Sequence, residues 1–525
     1  MKKVFVLALV MSIFCAAQAG YVVRGIYVNP PYAQDLKNYT LTFNPGDVPV
    51  SAASFHSSNG GGIGKNTIVI IRSDIDGSYI FPIAPWSSPN VPNDIEVRDF
   101  HYDSYSNAYV LCGSRRSSLG TRAFVATIDV FFNNIDFMEY SGADMFYSIC
   151  NLGVSNNYYL CGTRSTRGVI ASVIKGTLQL TNFYVTDTDW EYHKIIAISS
   201  FGTPNTPSFF VSGRNPGCTR VGFTTLNGSF SPINSYVWGQ TTDPLSHCVV
   251  SEDVSVNNSV ILASSNGNIV TLNPVIYSPS TTVRAYRYGS PNLTSYFVQD
   301  IGTIKVDNAL RISVAGFKRG PTAQTKAWHG YVDGLINNMT NNDYYGPPIG
   351  EYEHYKIRYQ QVTTSLYKEY TGGYFERTGE MGVLFGSPLT SPETCSELYP
   401  TNLFEYQNIT WSTFSLTSPI PVSTSYVSYL SGLYEMEFAH YCDILKGGDP
   451  APKSVMSAEN ESEIATSYDR ITLKDVPENT GYQIYNAIGQ LISTGVTTPD
   501  ISTTSLSKGV YILRLESGKT FKFVK

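Results

Sequence analysis

The densest group of chemically competent side chains lies between residues 187 and 193. Asp187, Asp189, Glu191 and His193 alternate along this stretch, so on one β-strand all four side chains would project from the same face. Three carboxylates and an imidazole on one face would suit a metal site or an acid–base pair. The same pattern fits a solvated strand edge, whose charges discourage aggregation. The four residues are therefore candidate catalytic residues, on the condition that they share a strand.

Three arginines, Arg115, Arg164 and Arg214, recur at equivalent places in a repeated sequence unit. Converging guanidinium groups can bind a carboxylate ligand, so the three are candidate binding residues. A residue repeated in every unit can instead serve the unit itself, by pairing with a neighbouring carbonyl or carboxylate. Both interpretations stay open on the sequence.

Motifs of common enzyme classes are missing or out of register. Residues 60–66 resemble a phosphate-binding loop, but two glycines stand one residue too close and Asn66 replaces the required hydroxyl. Asp74 and Asp76 begin a calcium-loop-like run without the later oxygen ligands, which favours a hairpin turn. No G-x-S-x-G or H-E-x-x-H sequence occurs. We predict no metal and no cofactor, and a non-enzymatic role is favoured over an enzymatic one.

The cysteines are predicted to be structural. The chain has 8 of them, and none has the C-x-x-C spacing of a zinc or redox site. Cys395 and Cys442 bracket one compact segment and are the expected disulfide. Cys112 and Cys161 occupy matching places in neighbouring repeats and are expected to be buried thiols.

Composition excludes one class of partner and favours one class of fold. The formal net charge of −6 and the charged fraction of 15% argue against a nucleic-acid partner, which needs a basic face. Tyr and Phe are abundant, at 38 and 26 residues, beside 43 Gly. Many short strands joined by tight turns fit this composition better than helices do.

One unit recurs through the middle of the chain: a β-rich run, a small residue, a basic or polar pair, and a second β-rich run. Copies begin near residues 67, 109, 158, 209, 260, 311 and 370. Gly113, Gly162, Gly213 and Gly316 mark copies about 50 residues apart, if a cryptic copy fills the long gap, which is typical of propeller blades. Each marker Gly is expected at a turn or at a close approach between blades.

These copies predict an all-β passenger, a β-propeller with seven blades favoured and six or eight as alternatives. A single four-stranded sheet cannot bury both faces alone, and a closed ring leaves only short edges. The closing strand is expected from Tyr21–Val28 or from Phe404–Leu416. A β-helix or tandem β-sandwiches would also repeat strands and remain alternatives.

The N-terminus carries an export signal. A basic start at residues 1–3 precedes an apolar run, and residues 17–19 form an A-x-A cleavage site. The apolar run is too short to span a membrane. We predict a signal peptide over residues 1–19, cleaved between Ala19 and Gly20 after handling by the Sec export machinery.

The C-terminal stretch is the most diagnostic part of the chain. It contains Ile484-Tyr-Asn-Ala-Ile-Gly489-Gln, then Leu506-Ser-Lys-Gly509-Val510-Tyr511-Ile-Leu, and closes on Lys525. In this order these elements resemble the type A C-terminal sorting domain of type IX secretion cargo from Bacteroidota. The Pro-Asn-Pro turn that commonly opens the family's domain is absent between residues 454 and 475.

The resemblance implies an organisation and a route. It implies a small Ig-like β-sandwich over residues 459–525. Gly and Pro residues break the strand pattern just before it and predict a linker at 446–458, after the propeller-like passenger at 20–445. It also implies recognition by the type IX secretion apparatus, passage from the periplasm across the outer membrane, and attachment to surface lipopolysaccharide. The protein is therefore expected to be secreted or displayed at the cell surface. The expected carriers of the sorting signal are Gly489, Gly509, Val510, Tyr511 and Lys525.

Three functions compete for the passenger. The favoured hypothesis is a binding or interaction module, because a propeller offers a wide face and a central funnel to a host protein or glycan. The alternative is a secreted glycoside hydrolase with paired carboxylates in the funnel, for which Asp187, Asp189 and Glu191 are the candidates. A purely structural role in the surface layer is the third hypothesis.

Overall fold

The computed structural model divides by its contacts into two compact units, Met1–Gly448 and Asp449–Lys525. It describes the strands given below and many of the segments beside them. Residues 1–20, 29–33, 440–463 and a number of loops lie outside the described part. Side chains are described mainly within residues 37–54, 94–238, 297–317, 355–373 and 471–515.

The described strands of the first unit form six hydrogen-bonded sheets, numbered here in chain order. The ten-stranded sheet is divided into sheets 6 and 7, because a single parallel pair, Thr325 with Glu351, joins its two halves. Strand β1 (Tyr21–Val28) precedes sheet 1, which contains β2 (Gln34–Lys37), β3 (Thr42–Phe43), β4 (Pro49–Ser57), β5 (Lys65–Arg72) and β6 (Tyr79–Pro85). Sheet 2 contains β7 (Asp94–Asp103), β8 (Ala108–Ser117), β9 (Gly120–Asp129) and β10 (Ile135–Tyr140). Sheet 3 contains β11 (Met145–Asn151), β12 (Asn157–Arg164), β13 (Arg167–Ile174) and β14 (Leu180–Asp189).

The remaining sheets repeat this plan. Sheet 4 contains β15 (Glu191–Ala197), β16 (Phe209–Arg214), β17 (Val221–Leu226) and β18 (Pro232–Trp238). Sheet 5 contains β19 (His247–Glu252), β20 (Ser259–Ser265), β21 (Ile269–Ile276) and β22 (Thr282–Gly289). Sheet 6 contains β23 (Ser295–Val306), β24 (Ala309–Arg319), β25 (Thr325–Asp333) and β26 (Met339–Tyr344). Sheet 7 contains β27 (Glu351–Gln361), β28 (Tyr367–Arg377) and β29 (Glu380–Pro388).

Strand β1 completes sheet 7. It pairs antiparallel with β29 along its whole length, from Tyr21 opposite Pro388 to Val28 opposite Met381. The N-terminal strand thus becomes the fourth strand of the last sheet, and Tyr21–Val28 is the one of the two expected closing strands that is used. Successive strands within each sheet pair antiparallel, unlike the parallel coils of a β-helix.

A segment after β29 runs along the outer strands of the sheets, and we call its strands the perimeter belt. They pair, in chain order, with the outer strands of sheets 6, 5, 4, 3, 2, 1 and 7, so the belt follows the sheets in reverse. Sequence analysis did not foresee this path; Phe404–Thr410 pairs with β22 and closes no ring. The belt consists of β30 (Ser396–Thr401), β31 (Phe404–Thr410), β32 (Ser412–Thr413), β33 (Leu416–Thr417), β34 (Thr424–Tyr426), β35 (Tyr429–Ser431), β36 (Tyr434–Glu435) and β37 (Glu437–Ala439).

The core lies between neighbouring sheets, and β12 shows why its sequence is apolar on both faces. Tyr158 and Leu160 pack with residues of sheet 2, whereas Tyr159 and Cys161 pack with residues of sheet 4. Successive side chains of a strand point to opposite faces. A strand covered on both sides therefore reads as a continuous apolar run, as the repeated unit does.

The repeated sequence unit corresponds mostly to the second and third strands of a sheet. This holds for β8 with β9, β12 with β13, β16 with β17, and their equivalents in sheets 5, 6 and 7. In sheet 1 the copy near residue 67 forms the third and fourth strands instead. The all-β expectation is confirmed, and the series of four-stranded antiparallel sheets is propeller-like.

The second unit contains two small sheets. One has β38 (Ile464–Thr466), β39 (Arg470–Leu473) and β42 (Asp500–Ser502); the other has β40 (Gly481–Asn486), β41 (Leu491–Val496), β43 (Val510–Leu515) and β44 (Thr520–Val524). They share an apolar core that includes Ile471, Ile484, Ile501, Tyr511 and Leu513. An Ig-like connection of these strands stays a prediction.

Candidate functional site

The four candidate catalytic residues do not share a strand. Asp187 and Asp189 lie near the end of β14 in sheet 3, where both are exposed, whereas Glu191 and His193 lie in β15 of sheet 4. Buried Trp190 separates the two strands. The expectation that the four side chains share one strand face is therefore wrong, because the chain passes from sheet 3 to sheet 4 within the motif. A catalytic role for these residues stays a prediction.

Glu191 is held in an ion pair at the start of β15. Its Oε2 lies 3.2 Å from Arg214 Nε and 3.3 Å from His193 Nε2. The hydrogen bond from His193 and the charge of Arg214 hold the pKa of Glu191 below its ordinary value. Burial lowers the pKa of His193 to about 4. At neutral pH the group is a carboxylate beside a neutral imidazole, so it accepts hydrogen bonds and supplies no acidic proton.

The three repeated arginines have separate surroundings. Arg115 is buried and its Nη1 lies 2.7 Å from Glu139 Oε1 in sheet 2. Arg214 pairs with Glu191 in sheet 4, and Arg164 ends β12 opposite the first residue of β13. No contact among the described side chains joins the three arginines. Arg115 and Arg214 each pair with a carboxylate of their own sheet, which agrees with a role in stabilising the repeated unit. Ligand binding by the three arginines stays a prediction.

A β-bulge recurs in the first strand of five sheets. Each bulge inserts one residue that has no partner on the second strand. The inserted residues are Arg98, Tyr147, His193, Gln299 and Tyr355 in β7, β11, β15, β23 and β27. The marker glycines stand on the neighbouring strand at this place.

The marker glycines allow the bulged backbone to approach. A Cβ added to Gly113, Gly162, Gly213 or Gly316 would lie 1.8–2.1 Å from a carbonyl oxygen of the first strand of the same sheet. Such distances leave no room for any side chain. The expectation of a turn or a contact between blades is therefore corrected: the glycines mark close strand-to-strand approach inside one sheet.

Four of the inserted residues and Tyr39 form a continuous arc, which we call the axial ring: Tyr39, Arg98, Tyr147, His193 and Tyr355. The ring centroids of Tyr355 and Tyr39 are 4.5 Å apart. Arg98 Cζ lies 4.3 Å from the centroid of Tyr39 and 5.4 Å from that of Tyr147. The ring of Tyr147 lies 4.7 Å from that of His193. The arc therefore crosses sheets 7, 1, 2, 3 and 4 in order.

Solvent reaches this arc. The side chain of Arg98 is 27% exposed and that of its ion-pair partner Glu96 is 31% exposed. Tyr39, Tyr147 and Tyr355 are half-buried. Arg98 Nε is buried and makes no hydrogen bond with the described atoms. The arc combines aromatic rings with paired charges at a surface that a ligand can touch.

The residue after each inserted residue is buried and forms a second layer, the central plug. The plug consists of Asp99, Ser148, Lys194, Asp300 and Lys356. Lys356 Nζ lies 3.0 Å from Asp99 Oδ1, and Lys194 Nζ lies 3.6 Å from Asp300 Oδ1. These pairs join sheet 7 to sheet 2 and sheet 4 to sheet 6. Each skips an intervening sheet, so the first strands surround a common centre that the plug fills.

The two plug carboxylates also tie neighbouring sheets together. Asp99 Oδ2 accepts hydrogen bonds from Ser148 Oγ at 2.9 Å and from the Ile149 backbone N–H at 3.1 Å. At the equivalent place, Asp300 Oδ2 accepts from the Ile357 N–H at 3.1 Å and from Arg358 Nη1 at 2.8 Å. Backbone donors satisfy a buried carboxylate that would otherwise be costly.

Charge pairing decides the ionisation of the plug. Burial alone would raise the pKa of Asp99 and Asp300, but the neighbouring lysines and Arg358 hold both pKa values below the usual range. Burial lowers the pKa of Lys194 to about 8, although Asp300 opposes the shift. The plug is therefore an ionised network at neutral pH, and Lys194 is the member with the pKa closest to neutrality.

The arrangement suits binding more than proton transfer. No group of three or more His, Cys, Asp or Glu side chains within the described residues is placed to hold a metal ion. The axial ring offers aromatic surface and one guanidinium group, and the carboxylates of Glu96 and Glu191 lie beside it. The plug supports it directly, since a plug residue follows the ring residue in four of the first strands.

Sequence reasoning missed Tyr39, Arg98, Tyr147 and Tyr355. A partial signal existed, because Arg98, Tyr147 and His193 stand 15 to 20 positions before the marker glycines Gly113, Gly162 and Gly213. A bulge adds a residue without changing composition, so periodicity alone could not show that these side chains turn toward the centre.

The described cysteines behave as structural groups. Cys112, Cys150, Cys161 and Cys218 form no disulfide. Burial raises the pKa of the first three thiols, so they remain protonated and unreactive. The expectation of buried thiols at Cys112 and Cys161 is confirmed. Cys395 and Cys442 lie outside the described residues, and their pairing stays a prediction.

The two ends of the chain are described only in part. Ala19, Gly20, Gly489, Gly509 and Lys525 lie outside the described residues, as does the predicted signal peptide. Val510 opens β43, and Tyr511 is buried in the second unit. Within the described residues there is no helix with the length and apolar character to cross a membrane.

Comparison with known proteins identifies the C-terminal end. None of the curated proteins matches the chain. A solved structure titled "Structure of Dos1 propeller" is similar over 70% of this chain and 96% of that chain, with 8% sequence identity and a TM-score of 0.37. Residues 465–525 match the family described as "Secretion system C-terminal sorting domain". This tail marks the chain as a type IX secretion cargo protein, exported to the cell surface or the extracellular space.

Proposed function

We propose that the passenger is an extracellular binding module, a ring of seven blades that receives its ligand at the axial ring. The observation that carries the proposal is the continuous, solvent-reached arc of tyrosines and Arg98 over a filled centre. Aromatic residues and arginine contribute most to recognition surfaces, because they offer large contact area at low entropic cost.

Rigidity of the arc supports this proposal. Arg98, Tyr147 and His193 sit at bulges opposite glycines that admit no Cβ, and the next residue of each is buried in the plug. A side chain on such a backbone loses little freedom when a ligand binds. Less of the interaction energy is then spent on ordering the site.

The filled centre indicates that a ligand binds on a face of the ring of sheets and does not pass through it. Lys356–Asp99 and Lys194–Asp300 span the centre, and all four side chains are buried. A ligand that entered would have to break buried ion pairs, which costs about 3–5 kcal/mol for each pair that loses a partner. The ligand therefore contacts the solvent side of the ring.

The hydrolase alternative receives no support from the described carboxylates. A glycosidase needs one carboxylic acid whose pKa is raised so that it can protonate the leaving group. The carboxyl groups of Asp99, Asp103, Glu191 and Asp300 have lowered pKa values. Substituting Asp187, Asp189 and Glu191 together tests this alternative, since a real hydrolase would lose turnover of its polysaccharide.

The binding proposal is tested with the exported protein on arrays of glycans and of purified extracellular proteins. We expect a ligand whose binding weakens at least about tenfold, or about 1.4 kcal/mol, in Tyr147→Ala. Tyr105→Ala is the matched control, because Tyr105 is 63% exposed away from the axial ring. The proposal fails if no ligand is found, or if both variants bind it equally.

The proposal includes the route of the protein. Export through the Sec machinery after cleavage of residues 1–19, and attachment to lipopolysaccharide once the tail is removed, are the steps that the sorting domain motivates. A linker at 446–458 would place the cut beyond the perimeter belt and leave the passenger whole.

A further inference from the structure

We propose that the axial ring binds one uncharged sugar unit at the end of a glycan chain. The inference rests on the proposed binding function and names the class of ligand. Three features of the described residues carry it: the aromatic surface, the cancellation of charge around it, and the filled centre directly behind it.

The aromatic surface suits a pyranose ring. A sugar has an apolar face of C–H groups and a rim of hydroxyls, so it needs flat apolar surface edged by donors and acceptors. Tyr39, Tyr147 and Tyr355 each offer an aromatic ring. Tyr39 and Tyr355 meet edge to face, with centroids 4.5 Å apart and an interplanar angle of 79°, so these two rings form an aromatic corner and not a single plane. Arg98 and Glu96, both partly exposed, provide donors and acceptors beside it.

The charges around the axial ring cancel in pairs. Arg98 forms an ion pair with Glu96, and Arg214 forms one with Glu191. His193 adds no charge near neutral pH, since burial lowers its pKa to about 4. An anionic sugar would have to displace Glu96 from Arg98, and a cationic ligand would have to displace Arg98 from Glu96. Uncharged hydroxyls can bond to both partners and leave the pair intact.

The filled centre limits the depth of the site to about one sugar unit. In four strands the plug residue follows the ring residue directly, as Asp99 follows Arg98 and Lys356 follows Tyr355. A polysaccharide chain therefore cannot thread through the ring. Only a chain end can bring the face of its terminal sugar against one of the tyrosine rings.

Binding is measured with the exported protein on immobilised hexose-terminated oligosaccharides and on the same oligosaccharides capped with sialic acid. We expect binding to at least one uncapped probe, weakened at least about tenfold by the cap. Tyr147→Ala should weaken binding by a similar factor, and Tyr147→Phe by less, because phenylalanine keeps the ring. Tyr105→Ala is the control, and thermal melting of each variant verifies its fold.

A second variant tests the charge argument without removing any aromatic residue. Glu96→Gln leaves Arg98 without its carboxylate, so we expect the preference against the sialic acid cap to fall at least about tenfold. Tighter binding of the capped probe by the unmodified protein, or an unchanged preference in Glu96→Gln, would overturn the inference.

The outcomes separate this inference from the proposed function. A protein ligand whose binding depends on Tyr147, with no sugar bound, would refute the sugar class and uphold the binding module. Absence of any ligand on either kind of array would refute the binding module itself.

Discussion

At the scale of single residues, neighbouring positions of one strand have opposite roles. Arg98 faces a surface that solvent reaches, while Asp99 is buried and bonded to two other sheets. Tyr355 and Lys356 repeat this relation. A bulge makes it possible, because the inserted residue departs from strict alternation and leaves the next side chain in the interior.

Removing one plug carboxylate should be costly. Asp99→Asn leaves Lys356 buried without its counter-charge, and we expect the free energy of unfolding to fall by about 3–5 kcal/mol. Ser148→Ala removes one hydrogen bond to the same carboxylate and should cost about 1 kcal/mol. Urea unfolding of both variants measures the difference. Equal losses would contradict the assignment of the plug as a buried ion pair.

Acid should destabilise the protein through Asp103. This buried carboxylate forms an ion pair with Lys175 at 2.8 Å and accepts a hydrogen bond from Ser106 Oγ at 2.7 Å. Together these contacts outweigh burial and lower the pKa of Asp103 to about 2. A depressed carboxyl pKa stabilises the fold above the unfolded value near 4, and the effect is lost as pH falls toward 2. We expect roughly 2 kcal/mol to disappear across this window.

The same measurement in Asp103→Asn serves as the control for acid stability. This variant lacks the titrating group and should show a shallower decline of unfolding free energy between pH 4 and 2. A decline as steep as in the unmodified protein would assign the acid sensitivity to other carboxylates, such as Asp99 and Asp300.

At the scale of the element, five of the sheets repeat one device: a bulge in the first strand and a glycine opposite in the second. The glycine motif was visible in the sequence, but its meaning was not. Close approach inside a sheet and close approach between sheets both require glycine. Only the pairing register distinguishes them, and it places the Gly162 site against the Met145 carbonyl.

Filling one of these glycine sites should disrupt its sheet. An added Cβ at Gly162 would lie 1.9 Å from Met145 O, so Gly162→Ala must shift the β11 backbone and should cost about 1–3 kcal/mol or more. Gly217→Ala is the matched control, since its nearest atom is 3.4 Å away. Thermal melting compares the two. A Gly162→Ala protein as stable as the control would show that the bulge is dispensable.

At the scale of the whole molecule, the perimeter belt covers the outer strand of every sheet in the passenger. Exposed strand edges pair with other chains and promote aggregation. The belt satisfies these edges from within the same chain, from β26 through to β1. The rim of the passenger is therefore protected from strand pairing with other chains, while its centre is filled by the plug.

Truncation tests the belt. A chain that stops after Pro388 lacks the belt, and we expect its melting temperature to fall by at least about 5 °C, because many backbone hydrogen bonds are lost. Light scattering should report aggregation. A chain that stops after Gly448 keeps the belt and loses only the second unit, so its melting temperature should not change. Similar behaviour of both chains would contradict a protective role.

Removal of the sorting domain tests the route of export. A chain without residues 449–525 lacks the matched tail and should remain inside the outer membrane, because nothing presents it to the type IX apparatus. Fractionation with protease treatment of intact cells measures the exposed fraction. Surface exposure equal to that of the full chain would contradict the role of the tail.

Much of the fold could be predicted from local patterns, and little of the site could. The strands and their repetition follow from apolar periodicity and from the repeated glycines. Tyr21–Val28 is one of two closing strands that the sequence predicts, and only the pairing register chooses between them. The candidate catalytic motif failed at Trp190, where the chain changes sheets within a stretch that alternates regularly. Alternation reports strand character, and it carries no information about where one strand ends and the next sheet begins.

The sequence by itself determined that the chain is an all-β export cargo, since sorting motifs and strand periodicity are read over short distances along the chain. The tertiary structure alone decided which side chains meet. Asp99 and Lys356 are far apart in sequence, and they form an ion pair only because the first strands of different sheets surround one centre. The axial ring and the perimeter belt depend on the same long-range closure, which no local pattern encodes.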